Sequence, residues 1–323
     1  MISKELILKN LDNTIDKTQF DFGSFKKGKV RDNYILDDKL IMIATDRQSA
    51  FDRILANVPF KGQVLTQTSV FWFENTEDII QNHKIAHPDP NVVVCKKLTV
   101  FPVEVVVRGY ITGVTNTAVW TAYKSGVRNF CGNPLPDGLK KNQKLEKPII
   151  TPTTKSKDHD EKISGKDVLK RNLMTKDQWE YVSKKAIELF KRGTEIAKQN
   201  GLILVDTKYE FGYDDKGNIY LIDEIHTPDS SRYWIKDTYK KRFEKGEEPE
   251  NIDKEFLRLW FKKNCDPYND KVLPEAPDSL VVELSRRYIM LYEMITGNEF
   301  APRTGNLKQE IKKNIQEYLE DAE

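Results

Sequence analysis

Residues 204–212 read LVDTKYEFG, and after a short interval YLIDE follows at 220–224. An extended strand alternates its side chains between two faces, so Asp206, Lys208 and Glu210 share one face while Thr207, Tyr209 and Phe211 share the other. Three ionisable groups in a row on an inner strand are costly unless a ligand or metal neutralises them. A strand with one solvated face is the competing reading of the same alternation. The apolar flanks, Ile203 to Val205 and Leu221 to Ile222, point to burial on both faces. If Asp214-Asp215-Lys216-Gly217 turns the chain into a hairpin that sets Glu210 near Asp223, two carboxylates converge on a hard cation. Mg²⁺ is bound in this way, by one or two carboxylates completed by nucleotide phosphates.

Four further groups carry chemistry. In KKGKVRD, Gly28 lets the backbone approach a ligand closely, and Lys29 and Arg31 alternate onto one face where they suit a polyphosphate; a solvated turn has the same composition. In ATDRQSAFD, a strand end leads into Asp46, Arg47, Ser49 and Asp52, which suit ribose hydroxyls and a phosphate, or else cap local amides in a turn. Arg108 ends the apolar run Val105 to Val107 beside Gly109, in place to hold a phosphate or carboxylate bidentately, or simply to lie exposed. In HTPDSSRYW, Ser230, Ser231 and Arg232 supply donors for a carboxylate-bearing substrate just beyond the hairpin; the alternative is a hydroxyl-capped turn anchored by Trp234. His159-Asp160-Glu161 suits a loop covering the site or a plain polar loop. His83 and His87 stand at a zinc-like spacing, but Pro88 and the lack of a third ligand argue against a metal.

These groups need elements to hold them. Ile35-Leu36 and Leu40 to Ala44 flank the turn Asp37-Asp38, and Asn91 to Lys97 and Val103 to Val107 are β-rich, which predicts a small, largely antiparallel sheet with a helix near Gln63 to Asn75. Residues 131–165 show little periodicity and read as a long surface connection. Thr175 and Gln178 form a capping box, and apolar residues from Trp179 to Ala197 recur at helical spacing until Gly201. Two strands follow as the hairpin, and helices are expected from Ser279 to Thr296, stopped at Gly297, and from Leu307 to Leu319.

Composition sets outer bounds. The 323 residues exceed one average domain. Lys plus Arg number 52 against 50 for Asp plus Glu, a balance that argues against a nucleic-acid-binding surface. Cys95, Cys131 and Cys265 make neither a disulfide framework nor a metal pattern, which favours a reducing cytoplasm. No apolar run approaches the roughly 20 residues that span a bilayer, and residues 1–10 lack the pattern of a secretion signal.

Taken in order, GKVRDNY, ATDRQSAFD, VVVRGYITG, HDE, DTKYEFG and IDEIHTPDSSRYW resemble one family, the phosphoribosylaminoimidazole-succinocarboxamide synthases, or SAICAR synthetases, over residues 28–234. The resemblance implies an α+β or α/β fold: an N-terminal antiparallel β lobe (1–108), a larger α/β lobe with the metal hairpin (109–245), an ATP-grasp or kinase-like nucleotide cleft between them, and C-terminal helices (246–323) packed on the α/β lobe. Carried over by position, Gly28, Lys29 and Arg31 contact ATP, and Glu210 and Asp223 hold Mg²⁺. Ser49, Asp52 and Arg108 bind the carboxyaminoimidazole ribonucleotide, and Ser231 and Arg232 bind substrate carboxylates. Lys208 and Asp206 lie at the reacting centre, with Asp160 on the covering loop. Where the family usually has Thr-Gly-Ser, this chain has Thr112-Gly113-Val114, so Thr115 or a backbone amide is expected to replace the lost hydroxyl.

The implied reaction joins L-aspartate through its amine to the carboxylate of that ribonucleotide. A carboxylate is a poor electrophile, so ATP first converts it to an acyl phosphate, which the amine displaces. The expected setting is a cytoplasmic monomer or small homo-oligomer acting on small molecules, with no nucleic acid or membrane partner. The rivals are a kinase-like phosphotransferase, which needs no second carboxylate-binding group, and a catalytically silent nucleotide-binding module, against which Lys208, Glu210 and Asp223 argue.

Overall fold

Residues 2–115, 118–155, 161–252 and 254–321 are described by the computed structural model. The β-rich runs of the first hundred residues form a five-stranded antiparallel sheet in the order Ser24–Lys27, Arg31–Ile35, Lys39–Ala44, Val92–Lys96 and Lys84–Asp89. The turn at Asp37-Asp38 closes through Leu36 N–H donating to the Lys39 carbonyl at 2.9 Å. One face of this sheet buries Tyr34, Ile41, Ile43, Val92 and Val94. The last helix, Leu307–Asp321, covers that face with Leu307, Ile311 and Ile315, a stripe spaced for one side of a helix. The C-terminal helices, expected on the larger lobe, therefore divide. Asp278–Thr296 sends Leu291 and Ile295 into the larger core, while its Val281, Leu284 and Tyr288 join Val64 and Leu65 of the helix Lys61–Glu74. A helix with apolar residues on more than one side can bridge two cores; the single stripe of Leu307–Asp321 seals one sheet.

The second sheet has six strands. Gln143–Ile150, Thr99–Ile111, Leu202–Tyr213 and Ile219–Ile222 lie in that order, with Thr153–Thr154 beside Thr99–Ile111 and Ser231–Ile235 beside Leu202–Tyr213. The pairings among these six strands are antiparallel, so the architecture is α+β and the larger lobe is not the parallel α/β type. Val103, Val105, Val107, Tyr209 and Phe211 point to the core, where Leu189 and Phe190 of the helix Lys176–Gln199 meet them. That helix opens on the expected capping box: Gln178 N–H donates to Thr175 Oγ1 at 3.3 Å, and Thr175 N–H donates to Gln178 Oε1 at 2.9 Å. The two sheets meet where His83 N–H donates to the Leu221 carbonyl and Leu221 N–H to the Gln81 carbonyl, each at 3.0 Å.

The segment 131–165, read as an irregular connection, contains the strand Gln143–Ile150. This strand lies at a sheet edge with half its residues exposed and a register shift between Lys144 and Ile149, which accommodates Pro148. Edge strands tolerate charge and proline, and that composition hides the alternation that marks inner strands. Among the described residues no helix is long and apolar enough to cross a membrane.

Candidate active site

Parity along Leu202–Tyr213 holds as expected: Tyr209 and Phe211 are in the core, and Lys208 and Glu210 line a cavity of about 490 Å³ between the sheets. The hairpin register pairs Glu210 with Ile222, so Asp223 follows directly and leaves the strand with a φ of 65°. Lys208 Nζ lies 3.1 Å from Glu104 Oε1 and 3.7 Å from Asp223 Oδ2, and it also contacts Glu210. Lys155 reaches Glu210 from the other side. Burial by itself raises the Glu210 pKa, but Lys208 and Lys155 overcome it and hold the carboxyl well below the usual range. Asp223 is pushed up, by burial first, with Arg31 opposing. The Lys208 ammonium is raised well above its ordinary value: burial opposes its charge, and Glu210, Glu104 and Asp223 outweigh that. Arg31, expected from sequence to contact ATP phosphates, donates to Asp223 Oδ1 at 2.9 Å and Glu224 Oε2 at 2.8 Å.

The basic turn forms the opposite wall. Gly28 N–H donates to the Arg31 carbonyl at 2.7 Å, and a Cβ at Gly28 would stand 2.9 Å from that oxygen. Arg47 braces the turn from beneath. Its Nε donates to the Lys29 carbonyl at 3.0 Å, one Nη2 contact goes to the Gly28 carbonyl at 3.1 Å, and another goes to Asp32 Oδ1 at 2.9 Å. Ser49 lines the cavity, and Asp52 pairs with Lys29 at 2.5 Å on its exposed rim.

A second cavity, of about 140 Å³, is lined by Asp206, Ser230, Ser231, Arg232, Lys254 and Arg258 among others. The strand register places Arg108 and Arg232 on opposite sides of Asp206, at 3.4 and 3.5 Å from Oδ2. Arg108 also donates from Nε to Thr151 Oγ1 at 2.9 Å. The Ser231 hydroxyl donates to Thr207 Oγ1 at 2.7 Å.

The structure thus brings Gly28, Lys29, Arg31, Ser49, Lys208, Glu210 and Asp223 to one cavity, and Asp206, Ser231 and Arg232 to its neighbour, with Arg108 attached through Asp206 and Asp52 through Lys29. Asp160 and His159 lie outside the described residues. Sequence reading missed Glu104, Lys155, Glu224, Asp229 and Lys254, all of which line the larger cavity. Glu104 was reachable, since it shares strand parity with Arg108, four residues on. Glu224 and Asp229 stand inside the segment IDEIHTPDSSRYW without being singled out, and Lys254 carries no local signal. His83 is buried against Phe73 and Cys95, and burial pushes its pKa down to about 3. Among the described residues no group of three or more His, Cys, Asp or Glu side chains converges to hold a metal ion.

The described SAICAR synthetase family model matches residues 24–275, which includes both cavities. The phosphoribosylaminoimidazole-succinocarboxamide synthase of Legionella pneumophila (strain Lens) is 59% identical over 307 residues, covering 94% of this chain and 98% of its own. The chloroplastic enzyme of that name from Arabidopsis thaliana is 57% identical over 295 residues, covering 91% of this chain and 72% of its own. Among solved structures, the SAICAR-synthase of Saccharomyces cerevisiae complexed with SAICAR superposes with a TM-score of 0.76 at 35% identity, covering 89% of this chain and 99% of that one. A family model across most of the chain, relatives aligned nearly from end to end and a shared fold agree, and the chain belongs to the SAICAR synthetase family.

Proposed function

We propose that the two adjoining cavities are the nucleotide and organic-acid halves of one ligase site. The family's reaction is ATP-dependent: it joins the amine of L-aspartate to the carboxylate of 5-amino-1-(5-phospho-D-ribosyl)imidazole-4-carboxylate in purine biosynthesis, forming a carbon–nitrogen bond. The kinase-like alternative is not favoured. The cleft between the sheets is read as a nucleotide cleft of the ATP-grasp and kinase-like kind, with ATP phosphates on Gly28, Lys29 and Arg31. The observation that carries this reading is the row Asp206, Lys208, Glu210 on one strand face, which opens at one end on the acidic hairpin and at the other on two arginines.

Glu210 and Asp223 suit Mg²⁺. Glu210 is held ionised, both face the cavity, and two carboxylates leave the remaining coordination to nucleotide oxygens and water. When bound, the ion supplies charge neutralisation to those phosphate oxygens. The protein's share of the chemistry is position and charge. In the first step the ribonucleotide carboxylate bonds to the γ-phosphorus, and the bridging oxygen leaves with its electron pair on ADP. Lys208 stands over this exchange. The amine nitrogen then bonds to the acyl carbon, and the phosphate leaves with the carbon–oxygen pair. Two protons leave the nitrogen in all, one to phosphate and one to solvent. Ser231 and Arg232 hold substrate carboxylates, Ser49, Asp52 and Arg108 bind the ribonucleotide, Asp206 lies at the reacting centre between the two arginines, and Asp160 belongs to a covering loop. The three free cysteines accord with a reducing, cytoplasmic setting.

The test is a coupled assay of the purified protein with ATP, Mg²⁺, L-aspartate and the ribonucleotide, leaving out one component at a time. Product and ADP are expected only with all four. ADP release that ignores aspartate would return the phosphotransferase.

A further inference from the structure

Among the described residues only Asp229 and Lys254 line both cavities. Asp229 is buried between two lysines: Lys61 Nζ stands 2.6 Å from Oδ2 and Lys254 Nζ 3.2 Å from Oδ1, where the Tyr288 hydroxyl also donates at 2.7 Å. Lys61 has no solvent exposure. Its ammonium is sealed against the Asp229 carboxylate and holds it ionised. One carboxylate balances one ammonium, and the trio keeps an excess positive charge. Lys61 is sealed in, so that excess reaches a ligand only through Lys254, whose side chain retains 13% exposure and faces both cavities.

We propose that Lys254 is a catalytic residue of the ligation, contacting the phosphoryl group as it passes from nucleotide to carboxylate and again as it departs. This rests on the reading above, in which the nucleotide occupies the larger cavity and the organic acids the smaller one. The acyl phosphate belongs to both halves of the reaction: its phosphorus comes from the nucleotide and its acyl carbon receives the amine. It therefore lies at the junction, where the lining charges are Asp229 and Lys254. Negative charge builds on phosphate oxygens in both steps, first as the oxygen–phosphorus bond forms and then as the carbon–oxygen bond breaks with its electron pair on phosphate. A fixed ammonium stabilises both transition states more than it stabilises bound aspartate. Lys61 has the separate task of keeping Asp229 charged and still, so that Lys254 is aimed without being fully neutralised. The site is then completed from the C-terminal part of the chain, because Lys254 precedes the helix Glu255–Asn264.

The experiment compares wild type, Lys254→Met and Lys254→Arg in the four-component assay, with ADP binding by calorimetry. Lys254→Met should lower kcat about 10²- to 10³-fold while KM for L-aspartate and the Kd for ADP stay within about threefold. Lys254→Arg should recover at least about a tenth of the wild-type rate, because it restores charge without the same reach. Equal loss in both variants, a rise in the aspartate KM at unchanged kcat, wild-type activity in Lys254→Met, or loss of ADP binding would each overturn the assignment. A wild type that makes no product would instead sink the ligase reading itself.

Discussion

Two clusters of buried charge lie about the same turn and do opposite things. In the first, every charge ends on protein. Asp32 accepts from Thr18 N–H at 2.6 Å and Arg47 at 2.9 Å, Arg47 spends its remaining donors on backbone carbonyls, and Asp46 accepts from Ile15 and Gly62 N–H groups at 2.7 and 2.9 Å. In the second, Lys208, Glu210, Glu104, Asp223 and Arg31 pair with one another while facing the cavity. Lys, Arg, Asp and Glu cannot be sorted into structural and chemical roles by type or even by burial. What sorts them is whether their hydrogen bonds close on backbone or on side chains that an incoming ligand can take over.

The largest expected effect is in the open cluster. Glu210→Ala should lower turnover about a thousandfold, as should chelation of Mg²⁺ by EDTA in the wild type, while the thermal midpoint of the variant moves by less than about 4 °C. Steady-state kinetics and calorimetry read this, and full activity at ordinary Mg²⁺ would contradict the metal role. The closed cluster should answer the other way. Arg47→Ala leaves Asp32 buried with its charge partner gone and should cost about 3–5 kcal/mol in urea unfolding; a loss below about 1 kcal/mol would erase the contrast.

A smaller effect is carried by Asp46. Burial pushes its pKa up to about 6 against the lowering pull of the Ile15 and Gly62 N–H groups. A folded pKa above the unfolded value of 3.8 means that its contribution is fully present at low pH and is lost as pH rises through about 6. Wild type should therefore lose up to about 3 kcal/mol relative to Asp46→Asn between pH 4 and 7, read by urea unfolding at each pH; a difference that does not change with pH would refute it. The smallest is a control far from both clusters: Thr175→Ala removes one half of the capping box and should cost about 1 kcal/mol with kcat unchanged.

The same contrast explains what the sequence disclosed. The hairpin was legible because strand parity is local: Asp206, Lys208 and Glu210 alternate with core residues within nine positions. The helix Lys176–Gln199 announced itself through Thr175, Gln178 and its apolar period. The strand Gln143–Ile150 stayed hidden because Lys144, Glu146, Lys147 and Pro148 suit an edge and resemble a loop. Arg47 stood inside a motif that reads as ligand-binding, yet its donors are consumed by backbone carbonyls and the buried Asp32, and only three-dimensional closure reveals that. Lys61, Asp229 and Lys254 meet across 168 and 25 residues of chain, a distance over which no periodicity speaks.

The long strand pairing has a geometric result. Glu104 lies opposite Glu210, and Arg108 opposite Asp206, on two neighbouring strands of one continuous ladder. Four residues of extended chain measure about 13 Å, and hydrogen bonds along both strands keep that length from stretching. The pair is a ruler laid along the floor of the site. It fixes the span between the acidic and the basic end of the two strands, so neither end can shift along the sheet without breaking the ladder that carries both.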